Sequence, residues 1–76
     1  MKSWRIFGIV FRYDDGSREY SMTDFTKAGA IKTAIECLKL CKSNEFLTII
    51  ERIDGKYKAI CRVNSNGDII PPKKNY

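Results

Sequence analysis

The chain has 76 residues, 43% of them hydrophobic, and is long enough for one domain with a single core. Fourteen Lys and Arg against nine Asp and Glu give a net charge of +5, which favours polyanionic partners without excluding others. No apolar run reaches the ~20 residues that a membrane-spanning helix needs. The N-terminal segment has no small-residue cleavage site, so we expect a cytoplasmic protein that does not act in a membrane.

The first predicted element is a β-hairpin. Residues from Trp4 to Tyr13 alternate in the period-two pattern of a strand, and Asp15-Gly16 matches a two-residue hairpin turn. That turn would pair Arg12 with Glu19 as a cross-strand ion pair. The opposite face of the hairpin would then be an apolar wall of Phe7, Ile9, Phe11, Tyr20 and Met22.

A helix is predicted next along the chain. Thr23 or Thr26 can cap its N-terminus, and Ser43-Asn44 is a plausible end. Apolar residues recur at helical spacing and predict one buried stripe. The stripe consists of Ile31, Ala34, Ile35, Leu38 and Cys41.

Residues 45–53 and 56–63 predict a second hairpin around Asp54-Gly55, with Phe46 paired to Val63. One face of this hairpin would gather Phe46, Ile50, Tyr57, Ala59, Cys61 and Val63. Asn66-Gly67 would turn the chain a third time, into a short fifth strand at Ile69-Ile70. Pro71-Pro72 would end any strand.

The predicted fold is therefore α+β, in the order β-β-α-β-β with a short fifth strand. One helix packs on one face of an antiparallel sheet. Residues 1–70 form the domain, and residues 71–76 form a flexible basic tail.

Few residues suit catalysis. The sequence has no histidine, which removes the commonest general base and metal ligand, and it has no glycine-rich phosphate loop. Cys37, Cys41 and Cys61 are an odd number for a disulfide framework and are best interpreted as reduced core thiols. We expect a protein that is not an enzyme and needs no cofactor or metal. A thiol-dependent enzyme is the third hypothesis and requires an exposed, reactive cysteine.

The surface suggests a binding role. The sheet face turned away from the helix is predicted to carry Ile6, Val10, Arg12, Ile49, Lys58, Ile60 and Arg62, with Trp4 near its edge. Such a mixture of apolar and basic groups is typical of interfaces. The predicted partner-binding residues are Trp4, Arg12, Lys56, Lys58, Ile60, Arg62, Lys73 and Lys74. A host protein is the first predicted partner, nucleic acid bound through its phosphates is the alternative, and a domain this small could also self-associate.

The stretch "FGIVFRYDDGSREY" followed by "TKAGAIKTAIECLKL" resembles a layout found in small phage-encoded proteins. These include inhibitors of host RNA polymerase and some anti-CRISPR proteins. The resemblance covers residues 4–63 in element order and turn chemistry, and it carries over no functional residue. It implies a compact inhibitor that occludes a host macromolecule. The same layout also resembles the sheet-plus-helix DNA-binding modules of some integrases.

Overall fold

A computed structural model describes residues 5–13 and 15–72, with only the backbone of Thr23. One helix packs on a five-stranded antiparallel sheet of order β2-β1-β3-β4-β5, which confirms the predicted fold class. Most of the predicted basic tail lies outside the described residues. The elements are β1 (Arg5–Arg12), β2 (Arg18–Asp24), α1 (Lys27–Leu40), β3 (Leu47–Ile53), β4 (Lys56–Val63) and β5 (Ile69–Ile70).

The loop of the first hairpin is one residue longer than predicted. The Tyr13 N–H donates to the Ser17 carbonyl at 3.0 Å, so three residues lie between the closing pair. Gly16 takes the left-handed conformation with φ 87°, as the last residue of a three-residue loop commonly does. The side chain of Asp15 accepts hydrogen bonds from Ser17, which stabilises this loop.

The longer loop shifts the register of β1 against β2 by one residue. Arg12 lies opposite Arg18, and Val10 lies opposite Tyr20. The predicted Arg12–Glu19 pair is therefore wrong, because Glu19 lies opposite Phe11 on the other face. A one-residue slip moves every side chain of a strand to the other face of the sheet, so Tyr20 and Met22 leave the predicted apolar wall.

The second hairpin has the predicted two-residue turn. Asp54 and Gly55 both have positive φ, at 52° and 78°, as this turn requires. The register then shifts between Ile49 and Ile50, so that Ile49 lies opposite Cys61 and Leu47, not Phe46, lies opposite Val63. This bulge leaves Ile60 as the extra residue on β4.

Helix α1 begins as predicted, with the Thr26 side chain accepting a hydrogen bond from the Gly29 N–H. It ends at Leu40, after which Lys42 takes a left-handed conformation at φ 51° and the Ser43 N–H donates to the Leu38 carbonyl at 3.0 Å. Cys41 is exposed, contrary to its predicted place in the buried stripe, because the helix has ended at Leu40. In the described part of the chain, no helix is long and apolar enough to span a membrane.

The sheet buries residues on both of its faces. The main core lies between the sheet and α1, and it consists of Phe7, Ile9, Ala30, Ala34, Ile49, Cys61 and Val63. Ile49 is 0% exposed there, so its predicted place on the face away from the helix is wrong. Val10 and Ile50 are also buried, but the register puts both on the face away from α1.

Candidate functional site

The face of the sheet away from α1, which we term the open face, has a distinct composition. Its members follow from the register, since directly opposed residues of antiparallel strands share a face. The described strand residues on this face include no acidic residue. These residues are Ile6, Gly8, Val10, Arg12, Arg18, Tyr20, Met22, Thr48, Ile50, Arg52, Tyr57, Ala59, Arg62 and Ile70.

The carboxylates of the described strands lie on the opposite side, which carries the helix. Each of the three has a polar contact there, and none of these contacts involves an open-face residue. The Tyr13 hydroxyl donates to Glu19 at 2.5 Å, the Thr26 N–H donates to Asp24 at 3.2 Å, and Arg5 forms an ion pair with Glu51 at 3.1 Å. The strands thus put four arginines and no carboxylate on the described open face, while Arg5, Lys56 and Lys58 share the helix side with the three carboxylates.

Two tyrosines meet above the middle of the open face. Tyr20 is on β2 and Tyr57 is on β4, with β1 and β3 between them. Neighbouring strands lie about 4.8 Å apart, so the two backbones are separated by three such intervals. The ring centroids are nevertheless only 5.0 Å apart, with ring planes inclined by 45°. Both rings must therefore lean inward over the two central strands.

The residues beneath this pair are small or apolar. Gly8, Ile50 and Ala59 lie in one cross-strand row between the row of Tyr20 and the row of Tyr57. The Met22 side chain lies over Gly8, with Sδ 2.9 Å from where a Cβ would stand, and Ile50 is 0% exposed. The tyrosine rings remain partly accessible, with 40% of Tyr20 and 41% of Tyr57 exposed.

Arginines lie on both sides of the tyrosine pair. The guanidinium carbon of Arg52 is 5.7 Å from the centroid of the Tyr57 ring, a distance typical of a cation–π contact. Arg12 lies toward the other end of the face, one cross-strand row beyond Tyr20. Neither Arg12 nor Arg52 forms an ion pair with a carboxylate of the described residues. Arg62 is held differently, since its Nε donates to the Pro71 carbonyl at 2.9 Å.

The structure divides the predicted partner-binding residues into separate groups. Arg12 and Arg62 lie on the open face as predicted. Lys56 and Lys58 lie on the helix side, because they are opposite Ile53 and Glu51, so the predicted place of Lys58 on the open face is wrong. Ile60 is the bulge residue and packs against the main core. Trp4, Lys73 and Lys74 lie outside the described residues.

Sequence reasoning missed the centre of this site. It assigned Tyr20 and Tyr57 to the core, and it did not select Arg52. The available signal was the length of the first loop, since a three-residue loop ending at Gly16 brings Tyr20 to the same face as Val10 and Arg12. Arg52 would then follow from its place opposite Ile6.

A groove of about 620 Å³ opens at the Arg12 end of the face. It begins where the pairing of β1 and β3 stops at Val10 and Thr48, and it extends to the C-terminal turn of α1. Arg12 and Arg62 line it together with two cysteines, Cys37 and Cys41. No group of three or more metal-binding side chains occurs in the described part of the chain.

The comparisons with known proteins add no relative. No protein-family model matches the sequence, and no curated protein or solved structure matches it either. The candidate site is therefore defined by the geometry of the open face.

Proposed function

We propose that this chain is a non-catalytic binding protein, of phage or mobile-element type, that acts in the cytoplasm. It covers and blocks a host macromolecule with its open face. The observation that supports this most directly is that the described open face carries four strand arginines and no carboxylate. Arginine and tyrosine occupy the open face, while the strand carboxylates lie on the helix side. A face with this composition attracts a negatively charged surface and repels a positive one.

The side chains of the open face suit binding more than reaction. Arginine presents a planar fork of N–H donors, and tyrosine presents a hydroxyl group on a flat apolar ring. Such groups hold and orient a partner, but they exchange protons poorly at neutral pH. Arginine and tyrosine are also the residue types that contribute most to the binding energy of protein interfaces.

Two kinds of macromolecule offer the complementary charge. An acidic surface of a host protein would place carboxylates against the arginines, in keeping with the blockade that the phage-type resemblance implies. Nucleic acid would place phosphates there instead. Both would depend on Arg12, since it lies on the open face without a carboxylate partner among the described residues.

Affinity capture from host lysate tests the proposal. The full chain would be immobilised as wild type and as Arg12→Glu, and both protein and nucleic acid retained on the support would be quantified. Arg12→Glu should lose the captured material, because it puts a negative charge on an acid-free part of the face. Arg62→Glu is a poorer probe, because it also removes the hydrogen bond to Pro71.

Lys32→Glu supplies the matched control. Lys32 is exposed on α1, and its substitution changes the net charge by the same amount on the other side of the sheet. Material that is retained by Lys32→Glu and lost by Arg12→Glu supports the open face as the binding surface. Equal retention by both variants would place the interface elsewhere and overturn the proposal.

A further inference from the structure

We infer that the partner of the open face is a single-stranded nucleic acid, whose bases stack on Tyr20 and Tyr57 and whose phosphates contact the arginines. This rests on the proposed function and names the class of its partner. Three features carry it: the position of the tyrosine rings, the placement of arginine around them, and the absence of acidic residues from the described open face.

The tyrosine rings are placed as a stacking surface. They lie over the centre of the sheet, where a nucleic-acid strand that crosses the face would meet them. Each tyrosine has about 40% of its surface exposed. Aromatic rings on an open sheet bind unpaired bases of any identity, because every base has a π-face. Each ring contacts the other, yet about 40% of each tyrosine remains exposed and available to a base.

The arginines are placed to follow a backbone past the rings. The guanidinium of Arg52 lies over the ring of Tyr57, and Arg12 lies in the cross-strand row beyond Tyr20. From Arg12 to Ile6, the residue opposite Arg52, the chain advances six residues on β1, which is roughly 20 Å at ~3.3 Å per residue. Positive charge at both ends of an aromatic centre suits a short stretch of phosphodiester backbone.

The shape of the face favours unpaired strands over duplex. Bases in a duplex are stacked on one another, so their faces are closed to Tyr20 and Tyr57. Reading a duplex in its major groove needs a protruding helix or a two-stranded ribbon. The helix of this domain lies behind the sheet, on the side that also carries Glu19 and Glu51. An acidic protein surface would satisfy the arginines, but its carboxylates offer no π-face to the two rings, whereas every unpaired base does.

The test uses the full chain and a fluorescently labelled oligothymidylate of about 12 nucleotides, followed by anisotropy. Heparin, a polyanion without bases, competes for charge alone, and a duplex of the same length tests the requirement for unpaired bases. We expect the single strand to bind more tightly than the duplex. Tyr20→Leu and Tyr57→Leu should each weaken oligothymidylate binding about ten- to a hundred-fold and leave heparin binding unchanged.

Phenylalanine variants distinguish the loss of stacking from the loss of the fold. Tyr20→Phe and Tyr57→Phe keep the ring, so each should bind oligothymidylate within about two-fold of wild type if stacking carries the contact. In a salt series, Arg52→Gln should reduce the slope of log affinity against log salt by about 0.7, the value for one phosphate contact with a single strand. Lys58→Gln, on the helix side, should leave that slope unchanged.

Three outcomes overturn the inference and remain distinguishable. If oligothymidylate, duplex and heparin bind equally and the leucine variants change nothing, the face is a general polyanion surface, and the proposed function survives without the base-stacking partner. If no nucleic acid binds while Arg12→Glu still abolishes capture of an acidic protein from lysate, the partner is that protein. If the open-face variants have no effect in either assay, both proposals fail together.

Discussion

Tyr20 and Tyr57 stand on strands that do not neighbour each other, yet their ring centroids are 5.0 Å apart across the open face. The pair therefore joins the outer strand β2 to β4 over the top of β1 and β3. This link is independent of the backbone ladder and of the helix on the other side. It makes the open face a second packed layer rather than a bare sheet surface, with Val10 and Ile50 buried on that side.

We expect the two tyrosines to be energetically coupled. Tilted aromatic pairs contribute about 0.5–1.5 kcal/mol beyond the apolar area that they bury. A double-mutant cycle with Tyr20→Leu and Tyr57→Leu, measured by urea unfolding, should yield a coupling free energy in that range. The control cycle pairs Tyr20→Leu with Ile69→Ala, because β2 and β5 are opposite edges of the sheet. Equal coupling in the two cycles would contradict a direct ring contact.

Gly8 should be less replaceable than Gly29. A Cβ on Gly8 would overlap the carbonyl oxygen of Ser21 and lie 2.8 Å from the Met22 Cα, so the backbone of β2 would have to move. Gly8→Ala should therefore lower the free energy of unfolding by about 1–3 kcal/mol, as overpacking does. The measurement is urea unfolding monitored by circular dichroism.

Gly29→Ala is the matched comparison, because its Cβ would overlap only the carboxylate of Asp24, and that side chain can rotate away. Alanine also favours a helix over glycine by about 1 kcal/mol, which offsets the loss of the Asp24 contact. Gly29→Ala should then cost less than Gly8→Ala. The opposite order would mean that β2 yields more easily than the Asp24 side chain.

The sequence was sufficient for the element order because local signals agree with one another. Alternation, turn dipeptides and the Thr26 cap placed all five strands and the helix, including the short β5. Strand ends differed by a few residues, with β3 starting at Leu47 rather than at residue 45. Local patterns are informative here because they act within a few residues of the positions that they specify.

Local patterns could not predict in the same way which side chains share a face of the sheet. Asp15-Gly16 and Asp54-Gly55 are the same dipeptide, but one belongs to a three-residue loop and the other forms a two-residue turn. The bulge beside Ile50 then shifts the second hairpin as well. Because the side-chain period of a strand is two, each one-residue shift in register moved the affected side chains to the other face of the sheet. The tyrosine pair depends on the registers of both hairpins, so local sequence patterns could not predict it.

Asp15 should titrate below the ordinary aspartate value of 3.8. The side-chain hydroxyl and the backbone N–H of Ser17 donate to its carboxylate at 2.6 and 2.8 Å, and they lower its pKa by stabilising the charged form. The unfolded chain therefore binds more protons between the two pKa values. The contribution of this contact to stability is fully present above the ordinary value, and it is lost as pH falls through the folded pKa.

A carbon-detected NMR titration of the Asp15 carboxyl group checks this. In Ser17→Ala the hydroxyl donor is absent while the backbone N–H remains, so the pKa should rise part of the way toward the ordinary value. An unchanged pKa in that variant would show that Ser17 Oγ is not the main cause of the shift.

The three cysteines should differ in their reaction with a thiol reagent. Cys61 is 4% exposed in the main core, and burial raises its pKa, so both access and thiolate fraction are low. Cys41 is exposed just after α1, and half-buried Cys37 should react at an intermediate rate. Native protein should therefore show one fast-reacting thiol, and Cys61 should react only when urea unfolds the chain. Cys41→Ser should remove the fast phase. A fast phase that persists in Cys41→Ser and maps to Cys61 would mean that the core opens readily.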